Sequence, residues 1–222
     1  MAASSRRQTA RAVLALHPRS HADELGIDVA RNTPAALYQW LLVSLLFSAR
    51  IPATQAQKAA AALFGQGWRT PARMVASSWE RRVAVLNRSG YARYDESAAR
   101  YIGDTTGLLI QRYGGDLRRL RDAAGRDPAQ ERTRLKDFKG IGDVGADIFC
   151  REAQLAWEEL YPFADRKALA TASRLDLGDD AAALAALVEL RDLPRLLSGL
   201  VRVGLHRQFD EVMRRAGCAD RA

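Results

Sequence analysis

The stretch that decides the fold is residues 135–149, which read Leu-Lys-Asp-Phe-Lys-Gly-Ile-Gly-Asp-Val-Gly-Ala-Asp-Ile-Phe. Apolar residues recur at helical spacings on both sides of a break at Gly140-Ile141-Gly142. Two glycines so close together allow a tight reversal of the chain. The stretch therefore predicts two helices joined by a short hairpin, the second beginning at about Asp143.

The start of that second helix is expected to bind an anion. The first N–H groups of a helix have no partner within the helix, and the positive end of its dipole lies there. The short apolar residue between the two glycines leaves no side chain to block a phosphate. We therefore expect the hairpin to contact a nucleic-acid backbone.

The composition favours helices over sheet. The chain has 222 residues, of which 48% are apolar and 7% aromatic, and no run of alternating β-branched residues is long enough to predict a strand. The predicted fold class is all-α, with one large domain or two small ones.

The charge points to a polyanionic partner. The formal net charge is +8, which favours nucleic acid first and an anionic membrane second. Basic residues lie at the hairpin and in the segment 161–169: Lys136, Lys139, Arg166 and Lys167. No apolar stretch reaches the length of a membrane span, so no membrane association is expected.

The cysteines and histidines predict no metal centre. Cys150 and Cys218 are too few for a disulfide scaffold or a four-thiolate site, and a reducing cytosol fits this usage. The three histidines show no ligand spacing with acids or cysteines. We expect no metal and no cofactor.

The hairpin resembles the helix-hairpin-helix of the DNA glycosylase superfamily that includes endonuclease III and the adenine-mismatch and alkylbase glycosylases. In that family an aspartate follows the hairpin at the start of the next helix, and Asp165 in the segment 161–169 matches it. The resemblance implies two helical lobes with a DNA groove between them. Residues 33–150 would form the central lobe ending in the hairpin at 135–149, and residues 1–32 with 151–222 the other.

The resemblance assigns the chemistry to Asp165. An enzyme that excises a base must flip the nucleotide out of the stack, and cleavage of the glycosidic bond builds positive charge on the sugar. A carboxylate can stabilise that charge and orient a water. An aspartate before Arg166-Lys167 is also a good helix N-cap, and the two roles do not exclude each other.

Two departures from the family's pattern refine this expectation. Members that also cleave the strand carry a lysine in Gly-Val-Gly-Arg-Lys, where this chain has Val144. Valine cannot form a Schiff base, so a monofunctional enzyme without AP-lyase activity is expected. Many relatives also hold an iron–sulfur cluster with four cysteines near the C-terminus. This chain has only Cys218 there, so no cluster is expected.

Two further segments resemble places where the family opens the duplex. Residues 44–50 resemble its Leu-Leu-Ser-Ala-Gln segment, with Arg50 where a glutamine fills the gap left by a flipped base. Residues 90–94 resemble its Gly-Leu-Tyr loop, which makes Tyr91 the expected intercalating residue. The alternative is that Tyr91 and Tyr94 cap the long helix that follows and pack on its neighbours.

The predicted DNA contacts lie on the hairpin, on the two segments that resemble the duplex-opening ones, or directly after Asp165. They are Lys139, Gly140, Ile141, Gly142, Val144, Gly145, Arg50, Tyr91, Arg166 and Lys167. The family also implies a monovalent cation at the backbone carbonyls of Lys139, Ile141 and Val144.

The expected function is base-excision repair of double-stranded DNA by a monomer in the bacterial cytosol. Two other functions remain open. One is a non-catalytic DNA-binding protein of the same fold that recognises DNA structure or damage. The other is an adaptor that uses the hairpin to contact protein, which the charge balance disfavours.

Overall fold

The computed structural model describes residues 3–218, with side chains for residues 5–217, and these residues form helices without any strand. The helices are α1 Ala3–Leu16, α2 His21–Glu24, α3 Pro34–Phe47, α4 Ala53–Gly65, α5 Pro71–Val75, α6 Trp79–Leu86, α7 Asp95–Tyr113, α8 Leu117–Ala123, α9 Pro128–Leu135, α10 Asp143–Ala153, α11 Arg166–Arg174, α12 Ala181–Ala185, α13 Leu193–His206 and α14 Phe209–Cys218. The predicted all-α class is confirmed. In the described part of the chain, no helix is both long and apolar enough to span a membrane.

The chain divides into two compact units. One consists of the described parts of Met1–Glu24 and Leu160–Ala222, and the other is Leu25–Glu159. The boundaries predicted from the sequence, at residues 33 and 150, both fall inside the second of these units. The lobe boundaries that the family resemblance implies therefore stay a prediction for this chain. The side chain of Cys218 lies outside the described residues.

Helix α3 is the central element of the unit 25–159. Thr33 caps its first turn by accepting a hydrogen bond from the Ala36 amide at 3.2 Å, and Pro34 follows as the first helical residue. Residues 36–46 are all buried, so the helix is covered on every face. It packs against α4 and α10, and the Trp40 indole donates to the Phe149 carbonyl at 3.1 Å.

Helix α7 follows a turn of π-helix at Asn87–Tyr91 and ends where Gly114 adopts a φ of +61°. The preceding helix α6 has Ser78 as its N-cap, and the Ser78 hydroxyl accepts a hydrogen bond from the Arg81 amide at 3.3 Å.

The first hairpin helix, α9, carries a buried glutamate that neighbours a second glutamate. Glu131 of α9 is fully buried, and burial, then the neighbouring Glu159, raise its pKa from 4.5 to about 8. Burial also acts to raise the pKa of Glu159, but hydrogen bonds from Arg121 outweigh burial and lower this pKa to about 2. Arg121 meets Glu159 at 2.5 Å.

The other unit is held by apolar packing around α13. Helix α13 packs on α1 and α11, and α1 also packs on α14. An ion pair at 2.7 Å between Arg202 and Glu24 ties α13 to α2. The buried side chains of this core include Val13, Ala168, Ala172, Leu193, Leu196, Leu197, Leu200, Val203 and Val212.

Candidate nucleic-acid interface

The hairpin is formed by α9, a loop and α10, and α10 begins at Asp143 as predicted. The Ile141 amide donates to the Phe138 carbonyl at 3.0 Å, which closes the turn. The Ile141 side chain is buried, with 4% of its surface exposed. Ile141, one of the predicted contacts, can therefore bind DNA only through its own main-chain atoms.

The three hairpin glycines differ in whether the structure requires a glycine at their position. Gly140 has a φ of +88°, and a Cβ there would lie 3.0 Å from the Tyr101 ring. At Gly145 a Cβ would lie 2.6 Å from Ser48 Oγ, so a close approach of α10 to the end of α3 requires this glycine. Gly142 has a φ of −99°, which any residue can adopt, so only Gly140 supplies the unusual torsion of the reversal.

The open side of the hairpin is at Gly142. A Cβ on Gly142 would meet nothing within 4 Å. Among the described residues, the amide N–H groups of residues 142–145 have no hydrogen-bond acceptor. These four amides at the start of an eleven-residue helix form an edge that an anion can reach, which we call the amide edge.

The charges around the hairpin are largely paired. Lys136 meets Asp143 at 3.0 Å, and Arg132 meets Asp147 at 2.5 Å. The hydrogen bond and charge of Lys136 lower the pKa of Asp143, which stays ionised next to the amide edge. Sequence reasoning counted Lys136 as a flanking base and overlooked the acid that it neutralises.

Lys139 is the basic residue of the hairpin loop that faces solvent. It is exposed, and its ammonium group has no acidic partner in the described part of the chain. Its carbonyl accepts a hydrogen bond from Thr105 Oγ1 at 3.1 Å. The cation predicted at the carbonyls of Lys139, Ile141 and Val144 stays a prediction. Among the side chains of residues 5–217, no three from His, Cys, Asp or Glu converge to hold a metal.

A cavity of about 550 Å³ lies beside the hairpin, within the unit 25–159. It is bounded by the end of α3, the π turn, one face of α7 and the hairpin loop. Its lining residues are Leu45, Ser48, Ala49, Arg50, Tyr91, Tyr94, Ser97, Ala98, Tyr101 and Gly140. Of the predicted contacts, the structure therefore brings Arg50, Tyr91 and Gly140 together.

Tyr91 is buried, which contradicts its prediction as an intercalating residue. It is 2% exposed, and its hydroxyl donates to the Leu46 carbonyl at 2.8 Å. Burial raises its pKa. A side chain anchored in this way cannot enter a base stack without unfolding the turn around it. The structure favours the alternative in which Tyr91 packs on neighbouring helices.

Arg50 lies in the turn after α3. Its side chain is exposed and has no acidic partner among the described residues. A guanidinium group with five donors at the border of a cavity is placed to meet acceptors of a ligand.

Asp165 lies in the other unit and caps α11. It is 5% exposed, and its Oδ1 accepts from the Lys167 and Ala168 amides at 3.1 and 3.3 Å. The predicted N-cap role is confirmed, and the two amides fix the orientation of the carboxylate. Arg166 and Lys167, which follow it, are exposed.

Sequence reasoning missed Tyr101 and Thr105. Both lie on the face of α7 that meets the hairpin, where Tyr101 touches Gly140 and Thr105 binds Lys139. The spacing of Tyr94, Tyr101 and Thr105 places them on one helical face, so this face could have been found. Nothing in the sequence indicates which element it packs against.

Comparison with known proteins identifies the fold. No family model and no curated protein sequence matches the chain. Among solved structures, it is similar to a non-covalent endonuclease III–DNA complex, at 19% identity and a TM-score of 0.56, over 96% of this chain and 99% of the other. A trapped endonuclease III–DNA covalent intermediate, in an estranged-adenine complex, matches at 21% identity and a TM-score of 0.47, over 75% of this chain and 73% of the other. The fold is thus the all-α fold of endonuclease III.

Proposed function

We propose that the chain is a DNA glycosylase that hydrolyses the N-glycosidic bond of a flipped, damaged or mismatched base in double-stranded DNA, without an AP-lyase step. The observation that carries the proposal is the amide edge, a set of four amides that have no acceptor among the described residues and lie next to open space at Gly142. Two further observations support it: the fold is that of endonuclease III, and the endonuclease III of similar structure is in complex with DNA.

The amide edge would hold a backbone phosphate. Amides at a helix start bind anions through hydrogen bonds and the helix dipole, and the exposed Lys139 adds a positive charge. Such contacts position the duplex and carry no sequence information. They account for DNA binding, and the chemistry requires another group.

Asp165 would supply that group. In the reaction, the base leaves with the electrons of the C1′–N bond and is protonated, while water adds to C1′ and loses a proton. Positive charge develops on the sugar, and a carboxylate held in a fixed orientation stabilises it without reorganising. The two amides that bind Oδ1 provide this fixed orientation.

The proposed absence of a lyase step rests on Val144. Its side chain is 47% exposed at the start of α10, in the position where strand-cleaving members of the family carry their lysine. An aliphatic side chain has no lone pair with which to attack C1′, so strand cleavage would need an amine from elsewhere.

An iron–sulfur cluster does not fit the residues of this chain. The chain has two cysteines, whereas the cluster of the family takes four thiolates. Cys150 is fully buried in α10, and burial raises the pKa of its thiol to about 12, so it stays protonated. We therefore derive no step through such a cluster.

The test is a base-release assay on duplexes that carry uracil, an oxidised pyrimidine, an alkylated purine or a mismatched adenine. Each duplex is incubated with wild type or Asp165→Asn, with and without alkali. Asparagine caps a helix about as well as aspartate, so Asp165→Asn should fold. The matched control is Asp180→Asn, which changes the N-cap of α12 in the same unit.

Alkali-dependent cleavage that is lost in Asp165→Asn and kept in Asp180→Asn is the expected result. Cleavage without alkali would contradict the proposed absence of a lyase step. Equal activity of wild type and Asp165→Asn would remove Asp165 from the chemistry.

The second candidate function is a DNA-binding protein without catalysis. The observation that favours it is that Asp165 already has a structural role as the cap of α11, so its presence does not require catalysis. Salt-sensitive binding to duplex DNA without release of a base from any substrate would establish this function instead.

A further inference from the structure

Three exposed arginines surround the loop between α4 and α5, within the unit 25–159. They are Arg69, Arg73 and Arg81, and we call them the arginine cluster. Arg69 belongs to the loop itself. Arg73 lies in α5, and a Cβ on Gly67 of the loop would meet its Nη1 at 3.3 Å. Arg81 lies in the first turn of α6, and its guanidinium group extends back to Trp68 of the loop.

Aromatic rings hold two of these guanidinium groups in place. The Arg81 guanidinium lies 5.6 Å from the centre of the Trp68 ring, and that of Arg69 lies 5.7 Å from the centre of the Phe64 ring. Both rings are buried, with 6% and 3% of the two residues exposed. Nη1 of Arg69 also donates a hydrogen bond to Gln39 Oε1 of α3 at 3.3 Å. Side chains that are already ordered lose less conformational entropy when they bind a ligand.

The arginine cluster has no acidic partner. None of its three side chains forms an ion pair with an aspartate or glutamate in the described part of the chain. Residues 29–79, which include two of the three arginines, contain no aspartate or glutamate. The next acid along the chain, Glu80, hydrogen-bonds to its own amide and to Ser78, and these bonds lower its pKa. The basic residues Arg132 and Lys136 of the hairpin, by contrast, are paired.

The chemistry of the cluster fits the phosphates of a polyanion. A guanidinium group only donates hydrogen bonds, and its planar fork binds two phosphate oxygens at once. A DNA duplex presents closely spaced phosphates, so several arginines on one surface can bind it together. The net charge of +8 also favours a polyanion over a single small anion.

The cluster lies on the opposite side of α3 from the hairpin. Arg69 binds Gln39 near the start of α3, whereas Gly145 of the hairpin approaches Ser48 at the end of this helix. Gln39 and Ser48 are nine residues apart in the sequence, which corresponds to about two and a half helical turns and about 14 Å along the axis. Their side chains therefore leave α3 in opposite directions. A straight duplex held at the amide edge is directed away from the cluster, so the cluster is placed to meet a different duplex.

We propose that the arginine cluster binds the backbone phosphates of a second DNA duplex, so that one chain bridges two duplexes. The bridging rests on the proposed DNA binding at the hairpin, whereas phosphate binding by the cluster does not. Neither of them requires base release.

The test counts the duplexes that one chain binds. The full-length chain is titrated with a fluorescent duplex of about ten base pairs, which is one helical turn and too short to reach both sites. Analytical ultracentrifugation at saturation gives the ratio of duplex to chain, whatever the oligomeric state. Wild type should bind two duplexes per chain. Saturation at one duplex per chain would overturn the proposal.

Replacing the whole cluster should remove one duplex. The triple variant Arg69→Gln, Arg73→Gln, Arg81→Gln should saturate at one duplex per chain. Urea unfolding checks that this variant is folded. A second duplex that a folded triple variant retains would overturn the proposal.

A matched control removes the same amount of charge from elsewhere in the unit 25–159. It is the triple variant Arg31→Gln, Lys58→Gln, Arg119→Gln, whose three side chains are exposed and form no ion pair among the described residues. Its affinity for both duplexes should fall by a similar factor, but it should still bind two. Loss of the second duplex in this control would show that net charge alone holds it, which would overturn the proposal.

Arg73→Gln tests the proposal with a single, mild change. The Arg73 side chain is exposed and makes no hydrogen bond or ring contact in the described part of the chain, so this variant should fold even if the triple variant does not. Each lost phosphate contact lowers the slope of log K against log salt by about 0.9, so the slope for the second duplex should fall by this amount. An unchanged slope would overturn the proposal.

Pyrophosphate and polyglutamate test the source of the anion. Pyrophosphate should displace the second duplex only in large excess, because it offers few of the phosphates that three arginines can bind together. Polyglutamate carries closely spaced carboxylates, and at the same concentration of charge it should displace the second duplex less well than unlabelled duplex does. Displacement by either competitor at concentrations similar to that of the duplex would overturn the assignment to DNA.

The outcomes also separate this proposal from the proposed function. Gly142→Ala should weaken the duplex at the hairpin and leave the duplex at the cluster bound, and loss of both would overturn the proposal. Base release by a chain that binds one duplex would overturn the role of the cluster alone. Two duplexes per chain without base release would support the cluster and leave the glycosylase unsupported. Failure to bind any duplex would overturn both.

Discussion

Thr105 Oγ1 donates a hydrogen bond to the Lys139 carbonyl at 3.1 Å, which fastens the hairpin loop to α7. The two residues are 34 positions apart in the chain, and Thr105 is fully buried. The same face of α7 carries Tyr101 against Gly140. The geometry of the amide edge therefore depends on a helix outside the hairpin itself.

Replacing Thr105 by valine should loosen this attachment. Valine keeps the shape of the side chain but leaves the Lys139 carbonyl without its donor, so we expect the free energy of unfolding to fall by about 1–2 kcal/mol. Urea unfolding measures the loss. Thr133→Val is the control, because Thr133 is exposed and bonds only within α9; its effect should stay within about 0.5 kcal/mol. Equal losses in both variants would contradict the role of Thr105.

Alanine at the two loop glycines should separate folding from DNA binding. Gly140→Ala combines a positive φ with a Cβ 3.0 Å from Tyr101, so we expect a destabilisation of about 2–4 kcal/mol. Gly142→Ala meets open space, so its stability should change by less than about 1 kcal/mol. Its new methyl group obstructs the amide edge, however, and duplex affinity should fall about tenfold or more. Unchanged affinity of a folded Gly142→Ala would exclude phosphate binding at this edge.

Asparagine at Asp143 should strengthen DNA binding. The substitution removes a negative charge beside the amide edge and releases Lys136 from its ion pair, so affinity should rise about two- to fivefold at low salt. The gain should shrink as ionic strength rises, because both groups are exposed and screened. Anisotropy titrations over a salt series measure duplex affinity. Asp122→Asn, which removes an exposed acid of α8, is the control. A gain of the same size in both variants would reflect net charge alone.

Lysine at Val144 should introduce the missing nucleophile. If the chain acts on the sugar as proposed, Val144→Lys should form a Schiff base with duplexes that contain an abasic site, and borohydride should trap it as a covalent adduct. Wild type should give no adduct through this position. Val75→Lys, at another exposed valine, controls for random reaction of a surface amine. An equal yield from both variants would argue against Val144 lying at the sugar.

Glutamine at Glu131 should alter the pH dependence of stability. The folded-state pKa of Glu131 is raised from 4.5 to about 8, so the folded state holds a proton that the unfolded state releases, and stability falls as pH rises through this window. Glu159, with its pKa lowered to about 2, acts oppositely: its contribution is present above pH 4.5 and is lost as pH falls towards 2. Glu131→Gln should therefore be more stable than wild type at pH 8, by on the order of 2 kcal/mol.

Urea unfolding between pH 4.5 and 8 measures this effect, and the profile of Glu131→Gln should be flatter than that of wild type. The exposed Glu158→Gln is the control, and its profile should follow wild type. A wild-type stability that does not fall over this range would show that Glu131 ionises without cost.

Several features could be predicted from the sequence because they depend on residues close together in the chain. Asp165 was predicted as a helix N-cap and α10 as beginning at Asp143, in agreement with the structure. Caps and turns are set by backbone torsions and by hydrogen bonds over three or four residues. The all-α class likewise follows from composition and from the spacing of apolar residues.

Other features depend on contacts between distant residues, which only the tertiary structure decides. Tyr91 was predicted as an intercalating residue. It is instead buried, and the Leu46 carbonyl of α3 accepts its hydroxyl hydrogen bond. Lys136 looked like a free base, although Asp143 neutralises it across the hairpin. The cavity beside Gly140 has walls from four separate segments, so no local pattern could reveal it.

The sequence by itself therefore determined the helical class, the hairpin and the cap at Asp165. The tertiary structure decided which amides are open, which charges are paired and which segments line the cavity beside Gly140. The physical reason is that backbone conformation responds to nearby residues, whereas burial and pairing depend on which surfaces the folded chain brings together.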